Sequence, residues 1–262
     1  DEVLRTGISH NHNLSISGGS EKTKYMASLN YMGNNGVIRG TSMRRANARS
    51  LLSTHVLKNH LELSVGVNAM FGAHQGVPVT GYNQSVLDAM NYYSPTNPIK
   101  DNSGSWYDSP FGTNNYNPLS LINEDGNEFS WRRMQLVAKA KLQIVKGLEW
   151  NTHYAYSTGQ RMFASYNSSQ SQIVKGYNGQ AKRSISSGDE HNLESFVNYS
   201  RLFSERHRLG VMLGYSFEQR VNNDGFGVTV HNFYNDTIGF HNISYANLIH
   251  GMSDVEGGLK ET

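Results

Sequence analysis

The acidic side chains that could do hydrolytic work gather in one stretch: Asp88, Asp101, Asp108, Glu124 and Asp125 all lie between residues 72 and 130. A carboxylate pair serves as acid and base only at a set separation, and acids scattered through a long connection define none. Solvated loop charge is the simpler reading. No Gly-x-Ser-x-Gly, His-Glu-x-x-His or P-loop pattern occurs. Of the 11 histidines, only His10 and His12 are close in sequence, and their spacing puts them on one strand face without a third ligand. The chain has no Cys, which removes disulfides, zinc-thiolate sites and cysteine nucleophiles together. The expectation is a protein that is not an enzyme and has no catalytic residue, metal or cofactor.

What the same stretch does carry is aromatic surface: Tyr82, Tyr92, Tyr93, Trp106, Tyr107, Phe111 and Tyr116. Tyrosine and tryptophan present an apolar face with a polar tip, which suits stacking on sugar rings. Tyr92, Tyr93, Trp106 and Tyr107 are the candidate substrate contacts, the last two beside Gly104. The alternative is that these rings pack the connection on itself or against a partner.

The elements that must hold this connection read as strands. From Leu148 to Ser157, Leu148, Trp150, Thr152, Tyr154 and Tyr156 point one way, and Glu149, Asn151, His153, Ala155 and Ser157 the other. The arm before it, Leu136 to Ile144, alternates likewise across the Lys146-Gly147 turn. The clearest run is Leu61, Leu63, Val65, Val67, Ala69 and Phe71 against Glu62, Ser64, Gly66, Asn68 and Met70. Further runs cover His12–Ser17, Tyr25–Met32, Arg44–Val56, Leu193–Phe203 and Leu209–Phe217, about eight strands in all. A short helix is expected at Gln84 to Tyr92. After Val221 only weak strand hints remain, near Val228 to Val230 and Ile243 to Tyr245.

Each arm of the hairpin from Leu136 to Ser157 is about as long as a tilted strand needs to cross a bilayer. Connections alternate in length: short at 18–22, 57–60, 146–147 and 204–206, long at 33–43, 72–130, 159–189 and from 222. That asymmetry is the mark of outer-membrane barrels, with short periplasmic turns and long extracellular loops. Fifteen Tyr, 26 Gly and five Pro fit strands with aromatic girdles, and Tyr154, Tyr156 and Tyr215 suit such a girdle. No apolar run reaches the roughly 18 residues of a membrane helix. A net charge of +2 with dispersed basic residues leaves no nucleic-acid footprint. Two other classes compete: a small eight-stranded barrel acting as an adhesin or structural protein, and a soluble carbohydrate-binding β-sandwich, which would bury its apolar faces together.

The run His12-Asn13-Leu14-Ser15-Ile16-Ser17-Gly18-Gly19-Ser20-Glu21-Lys22-Thr23-Lys24-Tyr25, continuing through Ala27-Ser28-Leu29-Asn30-Tyr31 to Gly36-Val37-Ile38, resembles the SusC/RagA family of TonB-linked outer-membrane transporters. So does the strand-turn-strand pattern from Arg45 to Leu63. Met26 departs from it, where a second aromatic is expected. The resemblance implies an all-β fold, part of a large transmembrane antiparallel barrel of about 22 strands around a plug. It implies TonB-driven import of oligosaccharides or peptides at the bacterial outer membrane, beneath a SusD-like lipoprotein. On that reading residues 1–262 are one partial barrel domain, with the plug, the TonB-contacting segment and later strands outside it. Glu62, Asn68, Lys139, Lys141, Gln143, Glu149 and Asn151 would then face the lumen, either lining a solute path or, as the largely filled interior favours, bonding the plug.

Overall fold

The computed structural model describes residues 2–78, 85–110, 115–203, 207–254 and 259–261. Two of the aromatics named above, Tyr82 and Phe111, lie outside the described residues, as do Gln84 and the 204–206 turn. The chain runs β1 (Ile8–Gly19), β2 (Thr23–Asn35), β3 (Ser42–Val56), β4 (Leu61–Gly76), α1 (Val86–Tyr92), α2 (Pro118–Glu124), β5 (Asp125–Val145), β6 (Leu148–Asn167), β7 (Gln180–Phe203), β8 (His207–Phe233), β9 (Ala246–Asp254) and β10 (Leu259–Glu261). All ten strands join one sheet in which β1 to β8 follow sequence order, and β8 pairs with both β9 and β10. Every pairing is antiparallel.

The turns follow the local chemistry. Between β1 and β2 the Ser20 hydroxyl accepts from the Lys22 and Thr23 amides at 3.3 and 3.2 Å. Between β3 and β4, Leu57, Lys58 and Asn59 are all left-handed. Gly147, between β5 and β6, has φ 89°, and a Cβ there would lie 2.5 Å from the Ser200 carbonyl oxygen, so only glycine fits.

The strands are longer than their alternation suggests, and the connections shorter. β5 begins at Asp125, β6 continues to Asn167, and β7 begins at Gln180. The connection expected at 72–130 therefore shrinks to 77–124, and the one at 159–189 to 168–179. The region after Val221 is also corrected: β8 runs on to Phe233 and two more strands follow. A strand crosses a bilayer in about 9–11 residues, yet β7 has 24 and β8 has 27. The surplus of β7 has polar residues on both faces, so no period of two marks it, whereas in β8 only the short alternation of Phe226, Val228 and Val230 shows.

One face of the sheet is apolar and uncovered. Leu29, Leu52, Val65, Phe71, Met134, Leu213 and Tyr215 are exposed, from 46% for Val65 to 77% for Leu213. Such a continuous band is far beyond what a soluble monomer leaves open, and among the described residues no second sheet packs on it, against the expectation for a sandwich. The band also slants. Its last apolar residue is Tyr31 on β2, level with Ala46 and Phe71 on the next two strands, but Phe71 pairs with Arg132, Met134 with Thr158, and Tyr156 with His191. The edge thus steps back two residues at each of β5, β6 and β7, then runs level from Leu193 to Phe217. Six residues of slip over six strand spacings corresponds to a tilt of about 35°, within the range of membrane barrels.

Among the described residues, small cores sit at the long-connection end. One comprises Ile38, Val77, Val86, Ala89 and Leu121, the other Tyr166, Ala181, Val230 and Phe233.

Candidate functional site

Two places concentrate polar chemistry: the folded connection between β4 and β5, and the polar face of the sheet where the apolar band ends.

The connection is anchored by its caps. Ser85 and Asp88 exchange bonds at the start of α1, with Asp88 N donating to Ser85 Oγ at 3.0 Å and Ser85 Oγ to Asp88 Oδ2 at 2.6 Å. Asn117 caps α2 through the Leu119 amide. The acids are all engaged. Asp101 accepts from the Ser103 hydroxyl and amide and from the Ser105 amide, and the Ser103 hydroxyl above all holds its pKa below the usual range. Asp108 pairs with Lys175. Glu124 takes the Trp106 indole N–H at 2.8 Å and the Ser168 hydroxyl at 2.5 Å. Asp125 is buried and takes bonds from Asn167 and Ser171, both at 2.6 Å. Glu124 and Asp125 thus tie the β4–β5 connection to the β6–β7 connection.

Of the four predicted contacts, Tyr92 is 69% exposed at the end of α1. The others are half-buried. The Tyr93 hydroxyl donates to the Pro98 carbonyl at 2.9 Å, and burial raises its pKa. Lys100 Nζ stands 3.2 Å from the Trp106 ring centroid. The Tyr107 carbonyl accepts from Gln172 at 3.2 Å. Trp106 therefore has its N–H and one face engaged by the protein itself. Trp106→Phe should loosen residues 98–110 by about 1–2 kcal/mol, read as faster proteolysis there. A Trp106 that works through substrate contact would lower affinity without that loosening.

On the polar face, register gathers the seven predicted lumenal residues. Glu62, Lys141 and Asn151 share one rung, and Lys141 Nζ lies 3.2 Å from Glu149 Oε2. Nearer the long connections is a groove of about 470 Å³ whose lining includes Trp131, Arg133, Gly159, Arg161, Glu190 and Arg220. Gly159 and Gly188 floor it, being on that face of β6 and β7. Glu190 bridges Arg220 at 3.2 Å and Arg133 at 3.8 Å. Trp131 lies across Gly72, where a Cβ would come within 2.1 Å of the indole. Sequence reading passed over these residues, although Arg133 and Trp131 continue the parity of Lys141, Lys139 and Gln135.

Tyr154, Tyr156 and Tyr215 lie on the apolar face. Tyr154 bonds His191 at 3.0 Å and Tyr156 donates to Asp189 at 3.2 Å. His10 and His12 contact each other, with ring centroids 5.2 Å apart, and no group of three metal-ligating side chains occurs among the described residues.

A slanted single-layer antiparallel sheet with a lipid-type band on one face and charge on the other defines the class: a transmembrane barrel sheet of the TonB-dependent transporter type. No family model matches the sequence. The chain is 24% identical over 250 residues to TonB-dependent receptor P3 of Formosa agariphila, covering 93% of this chain and 24% of that protein. To TonB-dependent receptor SusC of Bacteroides thetaiotaomicron it is 28% identical over 122 residues, 45% of this chain and 12% of that one. The RagAB peptide importer in its open-open state superposes with a TM-score of 0.78 at 16% identity, over 99% of this chain and 28% of that one. The resemblance carried by residues 12 to 38 thus extends along the sequence, which is SusC/RagA-like. The chain spans about a quarter of the length of the first curated relatives it matches. These relatives are TonB-dependent receptors.

Proposed function

We propose that this sheet is part of the wall of a TonB-dependent importer in the bacterial outer membrane, one that takes up an oligosaccharide or peptide nutrient beneath a SusD-like surface lipoprotein. The observation that carries the reading is the sheet itself: an uncovered, slanted apolar band for lipid on one side, and on the other a charged wall with a groove at its long-connection end. Import needs no covalent chemistry from these residues, in keeping with acids that are all engaged in structural bonds.

The division of labour follows depth. Glu62, Lys141, Glu149 and Asn151, towards the short turns, hydrogen-bond a plug. Tyr92, with the exposed Leu87 and Met90 of α1, offers an apolar surface for the lipoprotein or for captured substrate. An adhesin or structural barrel would have no use for a coupling partner, and that separates the two readings.

The test is uptake. Cells carrying the natural full-length protein should accumulate a labelled oligosaccharide or peptide, and lose that uptake when its gene or TonB is removed. A lipoprotein should co-purify from the outer membrane. Uptake unchanged in both deletions would overturn the importer.

A further inference from the structure

We infer that the groove beside Trp131 binds an anionic oligosaccharide, one carrying carboxylate or sulfate groups; this rests on the importer reading and names its substrate class. Two independent features of the groove point there.

The first is charge. Arg133, Arg161 and Arg220 face the groove with Glu190, and Glu218 bridges Arg220 at 3.0 Å; Arg132 and Asp189 border it from the apolar face, where they meet Phe71 and Tyr156. Glu190 is shared between Arg133 and Arg220, and Arg161 is exposed with no acidic partner within 4.0 Å among the described residues. A guanidinium presents a planar fork of donors that matches a carboxylate or sulfate two bonds at a time. Arg161 on β6 and Arg133 on β5 share one face of adjacent strands, since Arg161 pairs with Trp131 and Gly159 with Arg133.

The second is shape. Trp131 is pressed flat across Gly72, so the indole lies along the wall and leaves a broad face to the groove. It is half-buried. Gly159 and Gly188 leave the floor without side chains beside it, so a ring can approach the wall. An aromatic face beside a glycine floor takes the C–H face of a sugar ring, and guanidinium groups a residue away take its acidic substituents. A neutral saccharide would leave Arg161 without counter-charge. A peptide would use the arginines through its acidic side chains but has no need of the flat aromatic platform.

The groove also lies where a captured solute would meet it, because its residues are on the side of the sheet rung that leads to the long connections: Arg161 to Asn167 of β6 continues beyond it towards residues 168–179.

The full-length protein, purified from outer membranes in detergent, is titrated calorimetrically with an oligogalacturonate tetrasaccharide, a sulfated carrageenan tetrasaccharide and a neutral galactan tetrasaccharide. At least one anionic ligand should bind about tenfold or more tightly than the neutral one. Arg133→Gln with Arg161→Gln should weaken that ligand by about ten- to hundredfold and leave the neutral ligand unchanged. The two anionic arms tell carboxylate from sulfate recognition. Folding of the double variant is checked by heat-modifiable mobility, and Arg161→Gln alone serves if it fails. Equal binding of the neutral ligand, indifference to the arginine variants, or binding of an acidic peptide but no saccharide would overturn the assignment. Uptake separates it from the importer reading. Anionic binding without TonB-dependent uptake would keep the groove's ligand and overturn import, whereas uptake of only a neutral saccharide or a peptide would do the reverse.

Discussion

Val65→Arg is expected to cost about 2–4 kcal/mol of folding free energy in a bilayer, the penalty for a cation near the midplane of a barrel's lipid face. Val65 stands midway along the apolar run of β4, paired with Leu52 on one side and Ala138 on the other, in a rung that continues to Tyr154, Leu193 and Phe217. No acidic residue lies in that rung to neutralise a new charge. The matched control is Asn68→Glu, three residues along the same strand but on the polar face, between Arg49 and Gln135. There the change should stay within about 1 kcal/mol. The measurement is equilibrium unfolding of the full-length protein in lipid vesicles, with outer-membrane abundance as a cellular readout. If Val65→Arg were as mild as Asn68→Glu, the apolar face would be turned to water and the membrane assignment would fall.

The second large effect concerns Asp125. Burial pushes its pKa up to about 6; the bonds from Asn167 and Ser171 oppose this, and the neighbouring Glu124 adds to the rise. Its Oδ2 has no hydrogen-bond partner among the described residues. The unfolded chain has the ordinary value of 3.8, so folding favours the protonated acid. Stability is therefore greatest below about pH 4, falls as pH rises to about 6, and is level above. A displacement of about two pH units corresponds to about 3 kcal/mol. Hydrogen exchange, corrected for its intrinsic pH dependence, should show protection of residues 115–130 and 168–179 falling about a hundredfold between pH 4 and 7. Asp125→Asn should abolish that dependence and leave the variant better protected than the wild type at pH 8. Flat wild-type protection across this range would mean that Asp125 reaches solvent and holds no such charge.

Both predictions start from residues whose place in the sequence reads very differently. Val65 sits in a run whose alternation is complete, so its face was legible from the chain alone. Asp125 was one of five acids in an unpatterned stretch, and nothing in its neighbours distinguished it. Its burial comes from Asn167 and Ser171, more than forty residues away. The aromatics divide in the same way. Tyr92, Tyr93, Trp106 and Tyr107 are equivalent as sequence, yet Glu124 and Lys100 enclose Trp106 while Tyr92 stays open.

By itself the sequence determined the strand class, the short turns and the face of each membrane-crossing segment. Lipid contact imposes a strict period of two on those residues, and a period is local. The motif from His12 to Ile38 added the family likeness. Only the tertiary structure decided where the strands end, because beyond the bilayer the alternation is broken or brief, as at Phe226 to Val230, and backbone pairing extends the strands with little side-chain signature. It alone set the slant of the band and the groove of Trp131, Arg133, Arg161 and Arg220, since both depend on register between strands. Register is a relation between segments far apart in the chain, and no single segment encodes it.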